Sequence, residues 1–132
     1  MIIAEFVRDA RLQAIADAID AAGAAGRLRF YPAPRVGGPA IAPGVPLLLD
    51  AAFQLPSSAG AAGGVLVFDP LDEALVSANG IAGWARITDS DGVGIMDLDV
   101  GLVDSGAEVE LDNVVMAIGA AVRIDIASLT EP

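Results

Sequence analysis

Ile81-Ala82-Gly83-Trp84-Ala85-Arg86-Ile87, Thr88-Asp89-Ser90-Asp91-Gly92, Val93-Gly94-Ile95-Met96-Asp97-Leu98-Asp99-Val100 is the stretch on which the fold turns. Two alternating segments flank an Asp-Gly pair, the strongest short-range signal for a β-hairpin. The spacing predicts a hairpin over residues 81–100. Trp84, the only tryptophan, is expected at the centre of the core it helps to build.

Working outward, other short segments carry the same period. Arg27 to Tyr31 places Leu28 and Phe30 on one side and Arg27, Arg29 and Tyr31 on the other, a half-buried strand. Leu47 to Phe53 and Val65 to Phe68 read as further strands, and Glu108 to Leu111 as another with Val109 and Leu111 facing in. A last strand is expected from Ala120 to Leu129, with Val122, Ile124 and Ile126 inward and Arg123 and Asp125 outward. Pro56 to Gly64, rich in Ser, Ala and Gly, reads as a flexible turn. Ala74 to Ala78 fits either a strand or a helical turn.

One helix is expected, over residues 8–22. Leu12, Ile15, Ala16 and Ile19 fall at helical spacing, with Asp9, Gln13, Asp17 and Asp20 opposite and Gly23 and Gly26 to end it. Five prolines and three glycines between Pro32 and Pro46 exclude a central strand and predict a long surface-running arm. The whole gives a single domain over 1–132: helix 8–22, first strand 27–31, arm 32–46 and β-core 47–129. The expected fold is mainly β, a β-sandwich or jelly-roll-like barrel of about six or seven short antiparallel strands with one N-terminal amphipathic α-helix.

Composition narrows the chemistry. The chain has no Cys and no His, which removes thiolate and imidazole nucleophiles, general bases and metal ligands. Its net charge is −11, and all seven cations are arginine. Such a chain repels phosphate backbones, so neither nucleic acid nor an anionic membrane is an expected partner. No basic region leads into a long apolar run at the N-terminus, and a soluble, non-exported protein is expected. A mean hydropathy of +0.62 nonetheless leaves apolar surface to be covered by a core or by partners.

Two groupings of carboxylates have spacings that bear on chemistry. Asp89, Asp91, Asp97 and Asp99 cluster at the hairpin, and Asp89-Ser90-Asp91-Gly92 could open a calcium loop. The spacing lacks the third oxygen ligand and the closing Glu, so Asp89 and Asp91 are weak metal candidates beside a plain turn role. Glu108 and Glu110 could form a glycosidase pair, but nothing else in the sequence supports one, and solvated exterior carboxylates explain them far better. No catalytic or cofactor-binding residue is assigned and no enzyme is expected.

Four segments together resemble a family found in tailed-bacteriophage and prophage genomes. They are Gly26-Arg27-Leu28-Arg29-Phe30-Tyr31; Pro34 to Gly38 leading to Leu47-Leu48-Leu49-Asp50-Ala51-Ala52-Phe53; Gly63-Gly64-Val65-Leu66; and Gly83 to Gly92 followed by Met96-Asp97. The family typically has Trp-Phe-Arg where this chain has Trp84-Ala85-Arg86, and Thr or Ser where this chain has Ala or Val. The resemblance implies a small virion structural protein. The leading expectation is a capsid decoration (cement) protein that binds the major capsid protein or other virion proteins, forms a homo-oligomer in the particle and is assembled in the host bacterial cytoplasm. A tail or head-tail joining component and a host-adhesion or carbohydrate-binding module are the alternatives. The expected partner surface is the Pro32 to Pro46 arm with its flank, Arg27, Arg29, Arg35, Val36, Pro39, Ile41 and Pro43, together with the outer face of the N-terminal helix, the arginines being set to meet carboxylates on a neighbour.

Overall fold

The computed structural model describes residues 2–124 and 128–130. They form a mainly β domain with one N-terminal helix, as the alternation predicted. The helix α1 (Glu5–Asp20) begins a turn earlier than expected and ends two residues sooner. Glu5 in its first turn complements the helix dipole, and Gly23, at φ +77°, turns the chain away. Leu12, Ala16 and Ile19 are buried, with Ile15 packed at the edge.

The strands are β1 (Arg27–Pro32), β2 (Leu49–Ala52), β3 (Ser58–Ala62), β4 (Val65–Phe68), β5 (Ala74–Leu75), β6 (Gly80–Thr88), β7 (Gly94–Leu102), β8 (Val109–Leu111), β9 (Val115–Met116), β10 (Ala121–Val122) and β11 (Ser128–Thr130). The large sheet runs β2-β1-β6-β7-β8, with β9 beside the start of β6. A second sheet runs β11-β4-β3, and β10 pairs with β5. Leu28, Phe30, Leu49, Ala51, Ala85, Ile87, Leu98, Val109 and Leu111 of the large sheet join Leu66, Phe68 and Leu129 of the smaller one and the apolar face of α1 in a single core.

Several expectations need correction. The described residues hold eleven strands, more than six or seven, because two-residue pairings, β5 with β10 and β9 with the start of β6, add to the longer strands. They are not all antiparallel: β7 and β8 pair in parallel, Val100 opposite Val109, since residues 103–108 loop back beside Val100 and the chain then runs again alongside the last three residues of β7. Pro56 to Gly64 is not a loose turn, because Ser58–Ala62 is β3, tied to β4 and to the helix. There Gln13 Oε1 accepts from the Ala61 amide at 3.2 Å, Asp9 Oδ1 from Gly64 at 2.7 Å and Asp20 from Ser57 at 3.1 Å. The polar side of α1 thus binds backbone rather than facing only water.

The single last strand is also replaced. Residues 121–122 pair with β5 and residues 128–130 with β4, so the chain changes sheets between them. Ile124 is buried and Arg123 exposed as expected, while Asp125 and Ile126 lie outside the described residues. Ala74 to Ala78 resolves as the short β5.

Candidate functional site: the arm and the sheet face beneath it

Alternation along β6 puts Ala85 and Ile87 in the core and therefore turns Trp84 and Arg86 to the opposite face. Trp84 is fully buried, yet it is not the centre of the main core. The arm covers it. Gly83 and Gly94 make room: a Cβ on Gly83 would lie 2.9 Å from Ala33, and one on Gly94 would collide with the Pro39 carbonyl. The arm's backbone therefore lies directly on β6 and β7 instead of projecting into solvent.

Three donors on that face hold it there. Trp84 Nε1 donates to Pro32 O at 2.9 Å, Arg86 Nη1 to Ile41 O at 2.7 Å and Arg86 Nη2 to Gly38 O at 3.0 Å. Each acceptor is a backbone carbonyl. The donors are themselves fixed from the sheet: Asp97, opposite Arg86 on β7, accepts from Nε at 2.7 Å and Nη2 at 3.2 Å, and Tyr31, opposite Trp84 on β1, stacks on the indole with ring centroids 4.7 Å apart. The Arg86 guanidinium lies 5.3 Å from the Trp84 ring centre, within cation–π reach.

The register shows a charged row across four strands: Asp50 on β2, Arg29 on β1, Arg86 on β6 and Asp97 on β7. Two arginines directly opposite each other would repel, but each has its own carboxylate on the outer side. Burial raises the Tyr31 phenol above its ordinary value of 10.0, and Arg29 and Arg86 oppose that rise.

The seven residues expected to bind a partner fall around this face. Arg27 and Arg29 both approach Asp50, at 3.9 and 3.4 Å, and Arg35 donates to Asp99 at 3.1 Å. All three meet carboxylates of their own chain. Val36, Pro39 and Pro43 are half-buried, and the Ile41 side chain is exposed while its carbonyl is held. Arg86 was missed as a functional residue. A signal existed, because a hairpin centred on Asp91-Gly92 sets Arg86 directly opposite Asp97.

The hairpin carboxylates do other work. Asp89 Oδ1 accepts from the amides of Asp91 at 2.9 Å and Val93 at 3.0 Å, the turn role, while Asp97 and Asp99 belong to the arginines. Among the described residues no three carboxylates converge as a metal site would require. Glu108 and Glu110 border a cleft of about 610 Å³ with Arg123 and Thr130, and each accepts a backbone amide, from Asp99 and Gly106.

No family model, curated protein or solved structure matches this chain. The geometry therefore stands by itself: a domain whose densest polar constellation binds its own backbone. Among the described residues no helix is long and apolar enough to cross a membrane.

Proposed function

We propose that this chain is an assembly module without catalytic function, a structural protein of a tailed-bacteriophage virion that decorates the capsid shell. The observation that carries the reading is the apolar side chains the folded domain leaves in solvent. Ile81 and Val115 are directly opposed on β6 and β9 and each is 61% exposed; Phe6, Ile41, Val93 and Ile118 are more than half exposed. In an acidic monomer such side chains lack cover, and a neighbouring subunit supplies it.

Support of a second kind comes from the sequence segments that resemble small virion proteins, which fall on the hairpin, β1, β2, the start of β4 and Pro34 to Gly38 of the arm. The most polar site is spent on seating the arm and offers no nucleophile with an adjacent base.

Mass spectrometry of separated heads and tails tests the reading. The protein is expected in the head fraction, at a copy number in proportion to the shell. Its absence from both fractions would sink the proposal, and its presence in tails alone would reassign it to the tail. Ile81→Asp, at an exposed position, should leave the domain folded and lower its copies per particle.

A further inference from the structure

The face carrying Trp84 and Arg86 is a complete recognition site for a Pro/Gly-rich backbone turn, Gly38 to Ile41, closed by the Ile41 amide donating to Gly38 O at 3.1 Å, and we infer that the arm of a second copy of this chain can occupy it in exchange for the chain's own. Every part that recognises the arm lies outside it, on β1, β6 and β7: the two Arg86 donors with Asp97 behind them, the Trp84 face backed by Tyr31, and the clearances at Gly83 and Gly94, while the Trp84 bond to Pro32 O, at the end of β1, stays within each copy. What it recognises is the carbonyl of Gly38 and that of Ile41, with Ala33 and Pro39 lying close against the sheet. A second copy presents the same groups in the same order. Exchange conserves every contact, so it depends on concentration and on the hinges.

The arm's anchoring suits exchange. It leaves the sheet at Pro32 and returns beside its starting point, where the Leu48 amide donates to Phe30 O at 2.9 Å. It is thus a lobe hinged at one place. Fifteen Pro-rich residues, 32–46, out and back reach roughly 20 Å when extended, compared with a radius of gyration of about 14 Å for a domain of this length. A lobe of that reach crosses onto an abutting copy. Fixed proline φ angles limit the freedom lost when it lands there.

The inference concerns the isolated chain in solution, so its failure and that of the virion reading are separable. Full-length protein is refolded at millimolar concentration from an equal mixture of isotope-labelled and unlabelled chains, and any dimer is isolated by size exclusion. Isotope-filtered NMR should show contacts between Gly94 or Arg86 of one copy and residues 38–41 of the other, with Trp84 emission as blue as in the monomer. Failure to form a dimer, or a dimer whose arm contacts all stay within one copy, would overturn it. Arg86→Lys gives a second measurement. Closed and exchanged forms share the Arg86 contacts, so losing the two-carbonyl fork should speed conversion between monomer and dimer about tenfold while leaving the equilibrium dimer fraction nearly unchanged. A dimer fraction that collapses with that substitution would show a different interface and count against exchange.

Discussion

Arg86 and Asp97 form an ion pair on neighbouring strands, 2.7 Å from Nε to Oδ1, with each side chain only 7% exposed. The pair holds the guanidinium so that its remaining donors reach the arm, and the arm in turn excludes water from the pair. Arg35 and Asp99 are at a similar separation, but half in solvent. The two bridges therefore differ in what their removal should do.

Asp97→Ala leaves Arg86 buried without its counter-charge and should cost about 3–5 kcal/mol. Arg35→Ala should cost less than about 1 kcal/mol. Urea unfolding of both variants checks the contrast. The double change Arg86→Met with Asp97→Leu should lie closer to the parent than Asp97→Ala does, because no buried charge remains unpaired.

Gly94→Ala puts a methyl group where the Pro39 carbonyl rests. The arm should lift while the sheet stays paired, at a cost of about 1–3 kcal/mol. Trp84 is the only tryptophan, so its emission should shift to the red and its quenching by acrylamide increase. An unchanged spectrum would mean that the arm does not seal this face.

Trp84→Ala should cost about 3–5 kcal/mol, as for large buried aromatics generally. Trp84→Phe keeps the stack on Tyr31 and loses the hydrogen bond to Pro32 O. That substitution should cost about 1–2 kcal/mol, read from the denaturation midpoint by circular dichroism.

Tyr31 gives the fold a loss of stability in alkali. Burial raises its phenol above 10.0, so the folded chain holds that proton more tightly than the unfolded chain. Its contribution is fully present below the unfolded value and is lost as pH rises through the folded one. Tyr31 is the only tyrosine, and tyrosinate absorbance should show its titration displaced upward from a free phenol. Tyr31→Phe should flatten the decline of melting temperature above about pH 10.

How far the sequence announced this arrangement depends on what a local pattern can encode. The hairpin was legible because Asp91-Gly92 fixes both a turn and a register, and Val65 to Phe68 because four large apolar residues leave little choice. Ser58 to Ala62 was not, since Ala and Gly carry no β preference and that strand is set by Gln13 and Asp9 reaching across from the helix. The break after Val122 was hidden because alternation gives a face, never a partner strand. Trp84 was rightly read as buried but placed on the wrong side of its sheet, because a period of two cannot say which face meets the core when both are covered. The arginines chosen for a neighbour's carboxylates were read without Asp50 and Asp99, which only the register brings beside them.

The pairing of β1 with β6 also governs the order in which the chain can mature. β1 lies between β2 and β6, yet Pro32 and its partner Ala82 are separated by about fifty residues of chain, a loop whose closure slows folding. On the ribosome, β1 emerges with its outer edge open and waits until β6 has been made. Trp84 and Arg86 arrive on that same late strand, so the arm, synthesised early, has nothing to lie on until then. Nascent chains released before residue 88 should be protease-sensitive throughout, and resistance should appear in one step once the hairpin is complete.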